Sequence, residues 1–306
     1  MALWAGGILC MTTNRQSLEA GNRAAPGGAA VSEQRHWALK QVLFSGVLDE
    51  LQGHFAKMQV LYMPIKGAYL IAAGLADRIP CRRIWDVDIL VREADLDAVA
   101  KYFAPIPGVT VRKSYAQSEW PFETELWYRY SDADVPLEIH GRLNFAWRFL
   151  LPTDMLFANG KQITSHMLVP RAEHALLILT CHCFVHIAFE LPESVFDEIG
   201  VIAGQPDFSW ERFFDDAAKT GIMPFVYWVL CLYEIRTGNR VPFTKRPWYG
   251  RALARILSYE TYLAMPRMVR RLVLEAPVMR SRAGMVAYVF PRMAGKLLSS
   301  LHRTRR

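Results

Sequence analysis

Two aspartates, Asp86 and Asp88, stand two residues apart in the run Ile84-Trp85-Asp86-Val87-Asp88-Ile89-Leu90-Val91. A β-strand sends successive side chains to opposite faces, so the two carboxylates are expected on one face and Trp85, Val87, Ile89 and Val91 on the other, apolar one. Downstream, Val135-Pro136-Leu137-Glu138-Ile139-His140 repeats the arrangement, with Glu138 and His140 sharing one face. If the two strands are neighbours, three carboxylates converge on one side of a sheet. Clustered carboxylates repel and do not all stay ionised without cations. Hard oxygen donors suit Mg²⁺, which is usually held by one or two carboxylates together with substrate phosphates. That is the layout of a metal-dependent phosphoryl- or nucleotidyl-transfer centre. Lys66-Gly67, at the end of an apolar run, fits the same chemistry. The lysine reaches a phosphate, and the glycine lets backbone approach it closely.

Each of these signals has a plainer reading. Asp-x-Asp also occurs on solvent-facing strands and in sugar-nucleotide glycosyltransferases. Its apolar flanks argue for burial here, and uncompensated buried carboxylates are costly. The alternative is a structural acid cluster paired with Arg82 or Arg83. Lys66 could be a surface lysine in a tight turn. His140 either contacts substrate, orients the third carboxylate, or is a satisfied structural histidine. Cys181-His182-Cys183-Phe184-Val185-His186 looks like a metal motif, but on a helix positions 181 and 183 point about 200° apart. Only His182 and His186 share a face, and no Glu stands where a His-Glu-x-x-His site needs it.

The order Lys66-Gly67, then Arg82-x-x-x-Asp86-x-Asp88-Ile89-Leu90-Val91, then Leu137-Glu138-Ile139-His140 resembles the polymerase-β-like nucleotidyltransferases. It is most similar to a branch of bacterial, largely uncharacterised nucleotidyltransferase-family proteins. The likeness covers roughly residue 60 to the C-terminus. The superfamily's common Gly-Ser pair is replaced by Lys66-Gly67-Ala68-Tyr69, a form that this branch shares. The resemblance implies two Mg²⁺ ions, with Mn²⁺ also compatible, held by Asp86, Asp88 and Glu138. It implies nucleotide contacts from Lys66, Gly67 and Arg82, and weaker substrate contacts from Arg83, His140, His182 and His186. The implied substrate is an NTP such as ATP.

The elements that would position these residues follow from hydrophobic period and breakers. Residues 1–32 are rich in Gly, Ala, Asn and Ser and are expected to lack fixed structure. Ser32 caps an expected amphipathic helix to about Met58, its stripe running Trp37, Leu39, Val42, Leu43, Val47, Leu48, Leu51. Val60–Ile65 reads as a buried strand. Ala68–Gly74 reads as a short helix whose N-terminus would offer N–H groups to a phosphate. A polar loop over residues 77–83 leads into the aspartate strand. Glu93–Phe103 reads as a crossover helix, and Val109–Ser114, Leu126–Tyr130 and Val135–His140 as strands. Beyond Pro152 the pattern turns helical: Arg171–Phe189, Phe196–Ala203, Trp210–Thr220, Met223–Thr237 and Tyr249–Tyr262. Phe225, Tyr227, Trp228 and Tyr233 are expected in helical core. The expected class is α+β, a small mixed-sheet catalytic domain at 33–150 followed by a helical domain at 151–306 with a basic tail.

At 306 residues and 52% hydrophobic content the chain has ample material for a core. Five cysteines, odd in number and scattered, argue for reduced thiols. No apolar run is long enough to span a bilayer, so a cytoplasmic protein is expected. The net charge of +7 divides into +14 from residue 236 onward and −7 before it. The basic end suits an anionic acceptor (a phosphorylated peptide, a small molecule or tRNA), or is a solvated face. No P-loop, dinucleotide-binding glycine motif or nucleophile elbow is present. The leading expectation is transfer of an NMP unit with pyrophosphate release. Its rivals are glycosyl transfer from a nucleotide-sugar, and a non-catalytic module that binds through its basic end.

Overall fold

The computed structural model describes residues 26–79, 84–113, 123–145, 149–186 and 194–243. A long helix α1 (Pro26–Met58) opens the described chain. Proline suits its first position, where an N–H would be orphaned anyway. The helix therefore begins ahead of Ser32, which lies within it rather than capping it. Phe44, Val47, Leu48, Leu51 and Phe55 recur at helical spacing and are all buried.

Five strands form one mixed sheet: β1 (Tyr62–Pro64), β2 (Val87–Val91), β3 (Val109–Lys113), β4 (Glu123–Tyr130) and β5 (Ala133–His140), in the order β1-β2-β5-β4-β3. β2 and β5 run parallel, and the other pairs are antiparallel. The parallel pair needs a long connection, which is supplied by α3 (Glu93–Phe103) and the β3–β4 strands. Between β1 and β2 lie a short helix α2 (Lys66–Ala72) and a 3₁₀ turn (Ala76–Arg78). The expected strand at 60–65 is thus shorter, and the helix after it begins at Lys66 itself.

Two apolar clusters hold the sheet. On one face α1 and α3 pack against Val87, Ile89, Val91, Leu126, Leu137 and Ile139. Alternation in β2 and β5 dictates this face, as the sequence pattern requires. Trp85 departs from that expectation: it precedes the first paired residue of β2, and it is 61% exposed. Without a ladder partner, nothing enforces its place in the alternation.

The second cluster joins Met63, Ile65, Leu70 and Leu90 to the helical half of the chain. After the β6 (Leu143–Phe145) and β7 (Phe149–Leu151) pair come α4 (Thr153–Ala158) and the β8 (Lys161–Gln162) and β9 (Leu168–Val169) pair. Four longer helices follow: α5 (Ala172–His186), α6 (Ser194–Ala203), α7 (Trp210–Thr220) and α8 (Met223–Thr237). Ser209 caps α7, and Gly221 ends it in the left-handed region at φ 74°. Tyr227, Trp228 and Tyr233 are buried in this core, as expected. Cys181, Cys183 and Cys231 are buried. No helix among the described residues is long and apolar enough to cross a membrane. The expected helix at 249–262 and most of the basic C-terminal region lie outside the described residues.

Candidate active site

β2 and β5 pair in the register that brings their acids together. Asp88 is the direct partner of Glu138, and Leu90 of His140. The Ile65 N–H donates to the Asp88 carbonyl at 3.0 Å, which carries the β1–β2 ladder one residue past Pro64. Lys66 follows at φ 51°, in the left-handed region. A non-glycine residue held there stores on the order of 1 kcal/mol, and such strain gathers at functional sites.

Lys66 Nζ donates to Asp88 Oδ1 at 2.5 Å and lies 3.9 Å from Glu138 Oε2. His140 Nε2 lies 3.0 Å from the same Asp88 oxygen and 3.5 Å from Glu138 Oε2. Asp88, Glu138 and His140 each offer one donor atom within 4.8 Å of the others, so this group could hold a metal ion. Burial differs sharply across it: the Asp88 side chain is 2% exposed and that of Glu138 is 26%. Asp88 is enclosed because its face of β2 is covered from the second apolar cluster. Glu138 keeps an opening to solvent.

Asp86 sits in the bend just before β2, half-buried. Burial, reinforced by the charges of Asp88 and Glu138, pushes its carboxyl up to about 8. For Asp88, burial acts the same way but is outweighed by Lys66 and His140, which hold it well below the carboxylate range. Burial opposes the charge on His140, yet its bonds to Asp88 and Glu138 raise it to about 9. The Lys66 ammonium is likewise desolvated, and the three acids hold it charged.

The structure adds one residue that the sequence reading missed. β4 starts at Glu123, not at Leu126, and Glu123 is the direct partner of His140. Its Oε2 lies 3.6 Å from His140 Nδ1. Burial, with Glu138 and Asp88 adding, raises its carboxyl despite His140. The period-2 run Thr124, Leu126, Tyr128 was the available signal. Glutamates at 123 and 125, poor strand formers, masked it.

The remaining expected contacts are Arg82, Arg83, His182 and His186. Arg82, Arg83 and the His186 side chain lie outside the described residues. His182 is half-buried on α5 and is not among the residues whose donor atoms surround Asp88. A groove of about 440 Å³ lined by Arg78, Phe196, Asp197, Gly200 and Tyr233 contains none of the acids. It is not where a triphosphate could meet them.

A family model described as "Uncharacterised nucleotidyltransferase" matches residues 28–238. The chain belongs to this nucleotidyltransferase family. The matched span takes in all but the first two residues of α1, the whole sheet and the helices through α8, so the acids, Lys66 and His140 all fall inside it. No curated protein matches the chain.

Whether the nucleotidyltransferase site suits a divalent cation is tested by its own electrostatics. Asp86, Asp88, Glu138 and Glu123 gather around one ammonium and one imidazole, and Asp86 is driven towards its neutral form for want of positive charge. A divalent ion supplies what is missing, so the residues fit it.

Proposed function

We propose that the protein is a divalent-metal-dependent nucleotidyltransferase that moves an NMP unit from an NTP to an acceptor and releases pyrophosphate. The observation that carries the reading is the register that sets Asp88 directly opposite Glu138, with Asp86 two residues upstream, inside the family match.

In this reading Asp86, Asp88 and Glu138 hold two Mg²⁺ ions. Metal bound there would supply charge neutralisation for the triphosphate and a lowered pKa for the acceptor hydroxyl or phosphate. Glu138, the more exposed partner, takes the proton from the acceptor oxygen as that oxygen attacks the α-phosphorus. The bond from the α-phosphorus to the bridging oxygen breaks, and that oxygen leaves with pyrophosphate. Lys66 carries a positive charge at the place where negative charge accumulates on the leaving group. By resemblance Arg82 adds to that charge. The helical half, which shares a core with β1 and β2, supplies the acceptor pocket.

Incubation of the protein with each α-labelled NTP, Mg²⁺ and a cell lysate tests the reading. Label is expected on an acceptor with the wild type and not with Asp88→Asn or Glu138→Gln. Equal labelling by those variants would sink it, and a hexose adduct from a nucleotide-sugar would replace it with glycosyl transfer.

A further inference from the structure

The acidic centre contains a nitrogen donor placed as a ligand would be. An octahedral ion with bonds of about 2.1 Å sets neighbouring ligand atoms about 3 Å apart. His140 Nε2 lies 3.0 Å from Asp88 Oδ1 and 3.5 Å from Glu138 Oε2. The ring has little freedom to turn away, since its side chain is 9% exposed. Its backbone is paired on both sides, with Leu90 of β2 and Glu123 of β4.

The second ring nitrogen completes the pattern. Nδ1 faces Glu123 Oε2 at 3.6 Å, across the β4–β5 pairing. Metal-ligating histidines commonly give their other N–H to a carboxylate, which fixes the tautomer and strengthens the ligand. In the metal-free chain Nε2 donates to Asp88; a divalent ion would take the place of that proton, and Glu123 lies on the Nδ1 side, where the ring would keep its remaining N–H.

We propose that His140 binds the metal through Nε2, that Glu123 is its positioning residue, and that the centre prefers Mn²⁺ to Mg²⁺. The proposal deepens the nucleotidyltransferase reading and rests on it only in requiring a divalent ion at this site. Its chemistry is that of a mixed donor set. Carboxylates accept Mg²⁺ and Mn²⁺ alike, whereas an imidazole adds affinity for a first-row transition ion and little for Mg²⁺.

Pulsed electron paramagnetic resonance of the full-length chain loaded with Mn²⁺ alone tests this directly. The wild type is expected to show a directly bonded ¹⁴N coupling, which changes on ¹⁵N-histidine labelling and is lost in His140→Gln. Calorimetric titration with each metal alone should give tighter binding of Mn²⁺ than of Mg²⁺. Glu123→Gln should weaken Mn²⁺ binding by roughly 10-fold or more, as loss of such a partner usually does. The labelling readout uses wild-type protein, so it decides the matter even if a variant fails to fold. Mn²⁺ bound without any nitrogen coupling would overturn the proposal and leave the carboxylate centre standing. Failure of both ions to bind the wild type would overturn the proposal and the reading it rests on.

Discussion

Lys66 bridges two acids that face each other across the β2–β5 pairing, with Nζ 2.5 Å from Asp88 Oδ1 and 3.9 Å from Glu138 Oε2. The ammonium is the positive charge on which the metal-free centre depends. Removing one member of a buried ion pair leaves the other uncompensated, at a cost of about 3–5 kcal/mol. Lys66→Met should therefore lower the thermal midpoint of the metal-free protein substantially. Adding Mn²⁺ or Mg²⁺ should restore much of the loss, because a divalent ion replaces the missing charge. Thermal unfolding with and without metal checks both halves. A variant as stable as wild type without metal would show that Lys66 is not the counter-charge.

Asp86 gives a pH dependence of the opposite sense to ordinary acid unfolding. Its carboxyl is raised from 3.8 to about 8 in the folded chain. Between those values the folded state binds the extra proton. Its contribution to stability is thus complete below the unfolded value and lost as pH rises through the folded one. The group keeps some contact with solvent, so the effect is on the order of 2 kcal/mol rather than the full shift. Metal-free Asp86→Asn should be more stable than wild type at pH 9, by about that amount, in urea titrations. The two should converge as pH falls towards 4, and equal stability at pH 9 would contradict the electrostatic account.

The site was legible in the sequence to the extent that strand alternation controls it. Asp88, Glu138, Ile89 and Leu137 sit where period-2 patterning puts them, because each is locked into the β2–β5 ladder. The pattern failed where the ladder ends. Trp85 lies before the first paired residue, so its ring turns outward to meet Trp37 edge-on and the Lys40 ammonium at 4.6 Å. Glu123 failed for a different reason. Its strand membership is set by pairing with His140, a tertiary contact that overrides the low strand preference of glutamate. The start of α1 is a third case, since Pro26 is as good an opening as the Ser32 cap.

Trp85 provides a mutational check on that account. Replacing it with Ala should cost about 1–2 kcal/mol, the worth of an exposed cation–π contact and an aromatic edge. Ile89→Ala, two residues after the buried Val87 and fully enclosed, should cost about 2–5 kcal/mol through the cavity it leaves. Urea denaturation of the two variants should separate them clearly. Comparable losses would return Trp85 to the core.

His174, on α5, governs the acid side of the stability profile. Its side chain is fully enclosed, with Arg171, Glu173 and Asp216 around it. Nε2 is 3.3 Å from Asp216 Oδ2, but no hydrogen bond to either ring nitrogen is aligned. Burial, and then the Arg171 charge, depress it from 6.5 to about 4, while Asp216 and Glu173 pull the other way. The unfolded chain therefore takes up a proton between those values that the folded chain refuses. Stability should fall as pH drops from 6.5 towards 4, by at most about 3 kcal/mol from this residue. His174→Phe keeps the ring volume and removes the titration, so its denaturation midpoint should change less over that interval. A profile as steep as that of wild type would mean that the ring already carries its proton in the fold, paired with Asp216.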